Sequence, residues 1–142
     1  MSKIAVVRVR GNVNLNRKVK DTFSLLRLYR KNFCIVVKDN PSYKGMINKV
    51  KDYVTYGEIN DETYKELVSK RGEEYKGREK DRKSKIDYKK FILVDGKKLK
   101  PFFRLSPPRK GFGRKGIKVS FKAHGALGNR ADKINELIKR MI

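Results

Sequence analysis

Apolar positions in the first 60 residues fall into segments whose period switches between two and nearly four. Ile4, Val6, Val7 and Val9 are interspersed with basic residues up to Arg10, which predicts a strand with one wet face, ended by Gly11. Leu15, Val19, Phe23 and Leu26 recur at helical spacing behind a cap from Asn14 or Asn16, with Lys18, Lys20, Arg27 and Arg30 mostly off that stripe. Phe33–Lys38 is a continuous β-rich run and reads as a second strand. Asp39-Asn40-Pro41-Ser42 is a turn that Pro41 closes to any helix running through it. Met46, Ile47, Val50 and Tyr53 then mark the inward face of a second helix, and Val54-Thr55-Tyr56 a third strand closed by Gly57. The order β-α-β-α-β predicts a small α+β sandwich with both helices on one face of the sheet.

The pattern is less regular beyond residue 60. Asn60 or Asp61 caps a helix packing through Tyr64, Leu67 and Val68 and ending near Gly72. From Gly72 to Lys85 there is no period, so a solvated linker or a loop facing RNA is expected. Phe91–Val94 followed by Asp95-Gly96 fits either a two-residue hairpin or a short helix capped by glycine. Phe102–Leu105 reads as a strand, and 106–128, with Pro107-Pro108 and five glycines, as irregular chain. Asn129 is expected to cap a last helix with Ala131, Ile134, Leu137, Ile138 and Met141 as its apolar stripe. There is no internal repeat.

Charge changes the picture. Lysine and arginine total 38 against 15 acidic residues, a net charge of +23. Such a chain repels itself unless a polyanion neutralises it, which points to nucleic acid or an anionic membrane. No stretch approaches the roughly 20 apolar residues that cross a bilayer, and the apolar run at Ile4–Val7 is too short for a signal peptide. A soluble intracellular protein with nucleic acid as partner is the expectation. The charge is also uneven. Residues 57–69 hold the one acidic stretch (Glu58, Asp61, Glu62 and Glu66 against Lys65), whereas 96–131 contain eleven basic residues and no carboxylate. A surface built only for solubility mixes its signs, so this segment is expected to lie against phosphates. Within it, residues 106–128 are expected to be disordered until their partner orders them.

Four features could carry other chemistry. Gly111-Phe112-Gly113-Arg114-Lys115-Gly116 matches G-x-G-x-x-G, but a dinucleotide site needs a strand before and a helix after it. Pro107-Pro108 and a basic β-like stretch stand there instead, so the glycines are expected to let backbone approach a nucleic acid. His124, the single histidine, has no metal ligands or orienting partner nearby in sequence; stacking on a base, bonding a phosphate or no role at all are its readings. Cys34, the single cysteine, reads as a small buried hydrophobe. Glu58, Asp61 and Glu62 could meet around a helix start as a nuclease would require, but the helix dipole explains them better. No metal, cofactor or catalytic residue is expected.

Several motifs in fixed order resemble one family. Gly45–Ile59 (GMINKVKDYVTYGEI), Val6–Gly11 (VVRVRG) and Asp21–Leu28 (DTFSLLRL) are similar to ribosomal protein thirty of the large subunit. Phe103–Phe112 (FRLSPPRKGF), Gly125–Arg130 (GALGNR) and Ile134–Ile142 (INELIKRMI) resemble the extension of its long, archaeal and eukaryotic form. The resemblance is to the archaeal form, in which the long basic arm of eukaryotic members is not expected, and 70–100 is shorter and more basic than usual. The resemblance implies a ferredoxin-like β-α-β-α-β core at 1–59 with an antiparallel three-stranded sheet. It also implies a long-form extension at 60–142, irregular and basic, whose last helix packs back on the core. It implies a structural constituent of the cytoplasmic ribosome, bound to the large rRNA near the 5S rRNA and to other large-subunit proteins. An assembly factor on the same fold is the alternative, and a basic nuclease a more remote one.

Binding by such a protein rests on Lys and Arg displacing counterions from phosphates, with aromatics stacking on unpaired bases. The residues expected to do this are Arg8, Arg10, Arg17, Lys18, Lys44, Lys49 and Tyr56 from the core. From the extension they are Arg104, Arg109, Lys110, Arg114, Lys115, Lys118, His124 and Arg130.

Overall fold

A central strand with no wet face organises the molecule. In the computed structural model, which describes residues 3–77, 80, 82–85, 91–94 and 96–142, β1 (Lys3–Arg8) lies between β2 (Phe33–Lys38) and β3 (Val54–Ile59), antiparallel to both. Val6 faces Ile35 on one side and Tyr56 on the other. Helices α1 (Arg17–Leu26) and α2 (Pro41–Lys49) connect these strands and cover one face. There Phe23, Leu26, Ile47 and Val50 pack on Val6, Ile35 and Val54. This is the β-α-β-α-β sandwich the periodicity predicts.

The other face is covered as well, which corrects the expectation of a wet side. Helices α3 (Asp61–Arg71) and α4 (Ile134–Met141) lay Leu67, Ile134, Leu137, Ile138 and Met141 over Ala5, Val7, Cys34 and Ile59. Alternate residues of β1 therefore enter two cores, and five consecutive side chains from Ala5 to Val9 are buried. Burial pushes the Cys34 thiol up to about 12, so it behaves as a packed hydrophobe.

The sheet is also larger than the three strands expected. Two-residue strands β6 (Phe103–Arg104) and β7 (Gly128–Asn129) extend it to the order β6-β2-β1-β3-β7, with β6 antiparallel to β2 and β7 parallel to β3. Gly57 does not close β3 but lies inside it, because a Cβ there would stand 2.2 Å from the Ala131 carbonyl oxygen. The close approach of the chain entering α4 needs a glycine at that point. Between the alternatives at 91–99 the structure selects the hairpin, β4 (Ile92–Val94) with β5 (Lys97–Leu99).

Side-chain caps account for the starts of α1, α2 and α3. Asn16, Asn40 and Asn60 accept from the amides of Lys18, Tyr43 and Thr63. Asn129 does not cap α4: it ends β7, and its Oδ1 accepts from the Ala131 amide at 2.8 Å, opening a 3-10 turn over Ala131–Lys133 that leaves Ala131 exposed. Asn60→Ala should lower the denaturant midpoint at unchanged slope, by about 1 kcal/mol, since it frees one buried donor at the start of α3. A change within measurement error would show that water serves Thr63 equally well.

Candidate nucleic-acid interface

Strand direction sorts the molecule into two ends. β1 finishes where β2 and β3 begin, and α3 and α4 both run toward that same end. Arg71 at the end of α3 donates to Ser106 Oγ at 2.8 Å, and the Met141 carbonyl at the end of α4 accepts from the Ser106 amide. The opposite end carries the acidic starts of α3 (Asp61, Glu62) and of the chain entering α4 (Asp132), together with Glu58 and Asp39. The acid-free segment 106–128 belongs to the first end. There it closes over Val9 through Ala126, Leu127 and Phe112.

That segment is irregular, as predicted, but it is held throughout. Phe121 N donates to the Leu127 carbonyl at 2.7 Å, Ala126 N to Val119 at 2.8 Å, and Lys115 N to His124 at 3.1 Å. Ala126 and Leu127 are buried. Hydrogen bonding and burial of this kind argue against disorder in 119–128. The glycines also differ from expectation. A Cβ on Gly113 would meet the Gly125 carbonyl at 2.5 Å, and one on Gly125 would meet Val119 at 2.2 Å. Two stretches of the loop's own backbone cross there. Gly111 and Gly116 supply positive φ, at 75° and 90°. No helix follows the motif closely, so the G-x-G-x-x-G pattern shapes the loop and builds no dinucleotide cradle.

Two of the arginines expected on phosphates are inside the protein. Arg8, 1 % exposed, donates through Nη1 to the Leu28 carbonyl at 2.7 Å, through Nε to Arg10 and through Nη2 to Asn12, with its guanidinium 3.8 Å from the Phe23 ring centre. Arg130, 5 % exposed, donates through Nε to Thr55 Oγ1 at 2.8 Å and through Nη2 to the carbonyls of Phe112 (2.6 Å) and Ala126 (3.1 Å), over the Phe121 ring. Burial lowers both; Arg130, also near Arg140, falls to about 10 and remains a cation at neutral pH. Both guanidiniums are buried and committed to holding loop backbone. Arg140, not foreseen, does the same at the loop's other side, donating to the carbonyls of Arg109 and Gly111 at 2.9 and 2.7 Å.

Held in this way, the loop turns its other cations outward. Arg109, Lys110, Arg114, Lys115, Lys118 and His124 are all exposed, and Lys122 joins them. Lys110 and His124 have left-handed backbone (φ 67° and 68°), and His124 ends the 3-10 turn Phe121–Ala123. Arg10 is half-buried at the same end, its guanidinium 4.9 Å from the Tyr53 ring centre. The remaining candidates lie apart from this group. Arg104 is exposed but shares Glu73 with Lys100, at 2.6 and 3.1 Å. Partial burial pushes the Glu73 carboxyl up, and the hydrogen bonds and charges of both cations together hold it below the usual range. Lys44 pairs with Asp39 at 2.8 Å, whose hydrogen bond and charge raise it. Arg17, Lys18 and Lys49 are exposed at helix ends, and Tyr56 is half-buried on the α1/α2 core.

The geometry is that of a rigid basic end with neither a metal-binding cluster nor a membrane-crossing helix among the described residues. A family model described as ribosomal protein L30p/L7e matches residues 4–54. The large ribosomal subunit protein uL30 of Nanoarchaeum equitans is 44% identical over 156 aligned positions, which cover all of both chains. The chain belongs to this family. Proteins of the same name from Methanococcus maripaludis and Methanopyrus kandleri are 45% and 42% identical, over 97% and 94% of this chain and 98% and 100% of their own. The uL30 likeness thus runs through the basic loop and α4, well beyond the 4–54 core.

Proposed function

We propose that this uL30-family chain is a structural constituent of the large ribosomal subunit, where it binds and stabilises folded rRNA without catalysing a reaction. The observation that carries this reading is the basic end. A loop without a carboxylate is stapled by Arg71, Arg130 and Arg140, so that Arg109, Lys110, Arg114, Lys115 and Lys118 project from a fixed backbone. Preorganised cations lose little conformational freedom on meeting phosphates, and they bind shape more than sequence. Arg8 and Arg130 act as positioning residues, so the phosphate contacts fall to the exposed members of the set. The fuller reading has residues 1–59 as the core domain and 60–142 as the long-form extension, with the 5S rRNA close by and other large-subunit proteins as neighbours.

Sedimentation of cell extract through a sucrose gradient tests the assignment. The chain should co-migrate with mature large subunits and stay there in high-salt washes that strip factors. Its confinement to precursor particles would identify an assembly factor and overturn the structural role. Cross-linking within the subunit, read by sequencing the attached RNA, should recover large rRNA at 109–118; absence of 5S rRNA from all cross-links would remove that neighbour.

A further inference from the structure

At the same end of the sheet, outside the acid-free loop, three aromatic rings form a ledge. Phe33, the first residue of β2, and Phe102, just before β6, stack with ring centres 5.2 Å apart and planes 7° from parallel. Tyr29 stands at 90° to Phe102, 5.7 Å away, and is 47 % exposed. Phe33 and Phe102 are half-buried against the α1/α2 core, so the ledge is rooted in packing while its outer ring faces solvent. In a chain with only 38% hydrophobic residues, a large aromatic left at the surface is a notable use of apolar material.

The backbone under the ledge is fixed by Arg8. Its Nη1 holds the Leu28 carbonyl, Asn12, which it also binds, donates to the Tyr29 carbonyl at 3.4 Å, and the Asn32 amide donates to the Arg8 carbonyl at 2.7 Å. The Leu105 amide in turn donates to Asn32 at 3.1 Å and ties the Phe102 segment to the same loop. Exposed Arg30 and Lys31 follow Tyr29 directly, and no carboxylate occurs between Asp21 and Asp39. A ring face with cations one and two residues away matches a nucleotide: base on the ring, phosphates on the cations. A protein partner for an apolar ledge would not call for two cations directly beside the exposed ring.

We infer that Tyr29, in T-shaped contact with Phe102, is a stacking site for an unpaired RNA base, with Arg30 and Lys31 taking the adjoining phosphates. The inference rests on the RNA-binding role proposed above and names a subsite for it. The test compares binding of the full chain to a 12-residue oligoadenylate and to an abasic RNA backbone of equal length and charge. The unmodified chain should bind the oligoadenylate more tightly, and Tyr29→Ala should weaken that binding about tenfold. Tyr29→Ala should leave the abasic probe unaffected, and Tyr29→Phe should bind both probes as the parent does. The Tyr29 ring protons should move upfield on adding oligoadenylate and not on adding the abasic probe. Equal losses on both probes would make Tyr29 a support of the fold, and no loss, or burial of the ring by a ribosomal protein instead of RNA, would overturn the stacking site. Association with large subunits is measured separately: a chain absent from them yet base-selective here retains the ledge and loses the ribosomal role, and the converse result does the opposite.

Discussion

Raising monovalent salt from 50 to 200 mM should weaken the binding of large-subunit rRNA by about 10³-fold, measured by filter binding or fluorescence anisotropy on the intact chain. The estimate follows from the exposed cations of the loop. Arg109, Lys110, Arg114, Lys115, Lys118 and Lys122 together could neutralise six phosphates. Releasing the counterions of six phosphates gives a log-log slope of about −5, and a fourfold change in salt then spans about three decades. The slope separates two classes of arginine that composition counts alike. Arg114→Gln should flatten it by about 1, because an outward cation leaves the interface. Arg8→Lys should leave the slope unchanged whatever it does to stability, since the Arg8 guanidinium is 1 % exposed and committed to Leu28, Arg10 and Asn12. A flat salt response of the parent chain would mean that the basic end does not meet phosphates.

That contrast marks how far the sequence could be read. The strands and helices of residues 3–59 were legible because each runs long enough to show its period, and Asn16 stands where the first helical stripe begins. β6 was legible as a strand within Phe102–Leu105, though not its place beside β2, whereas β7 has two residues and no period, so only its pairing with β3 reveals it. The wet face assigned to β1 failed for a related reason. Alternation within one segment says nothing of α3 and α4, which arrive from residues 61–71 and 134–141 to cover it. The basic character of 106–128 was legible from a run without carboxylates, since net charge is additive and visible. Burial is not. Arg8 does carry a local sign, being enclosed by Val6, Val7 and Val9 on a strand, and that sign favours an internal role. Arg130 has none, because its acceptors on Thr55, Phe112 and Ala126 come together only through the fold. The ledge of Tyr29, Phe33 and Phe102 unites residues more than 70 positions apart in the chain, which periodicity does not record.

Arg130→Ala should destabilise the folded chain by about 3 kcal/mol, read as a lower urea midpoint at constant slope, and should release amide protection across 112–128. Two effects oppose one another. Removing the side chain relieves the cost of holding a cation away from water, which the lowered value of about 10 reflects. It also deletes three charge-assisted hydrogen bonds and leaves the Ala126 carbonyl, on a fully buried residue, without that donor. Hydrogen bonds to a charged donor contribute about 1.5–3 kcal/mol each, and stranding a buried acceptor costs about 1–3 kcal/mol, so the loss exceeds the relief. Thr55 is partly insulated because its hydroxyl already donates to the Gly128 carbonyl at 3.0 Å. Arg130→Lys keeps the charge but has one ammonium where a planar fork spans two carbonyls and a hydroxyl, so it should recover less than half of the stability. With its staple gone, the loop still carries the same cations. Affinity for rRNA should then fall through the ordering of 106–128 on binding, while the salt slope stays near that of the parent. A variant that keeps loop protection and stability within 1 kcal/mol of the parent would show that the loop holds itself without Arg130.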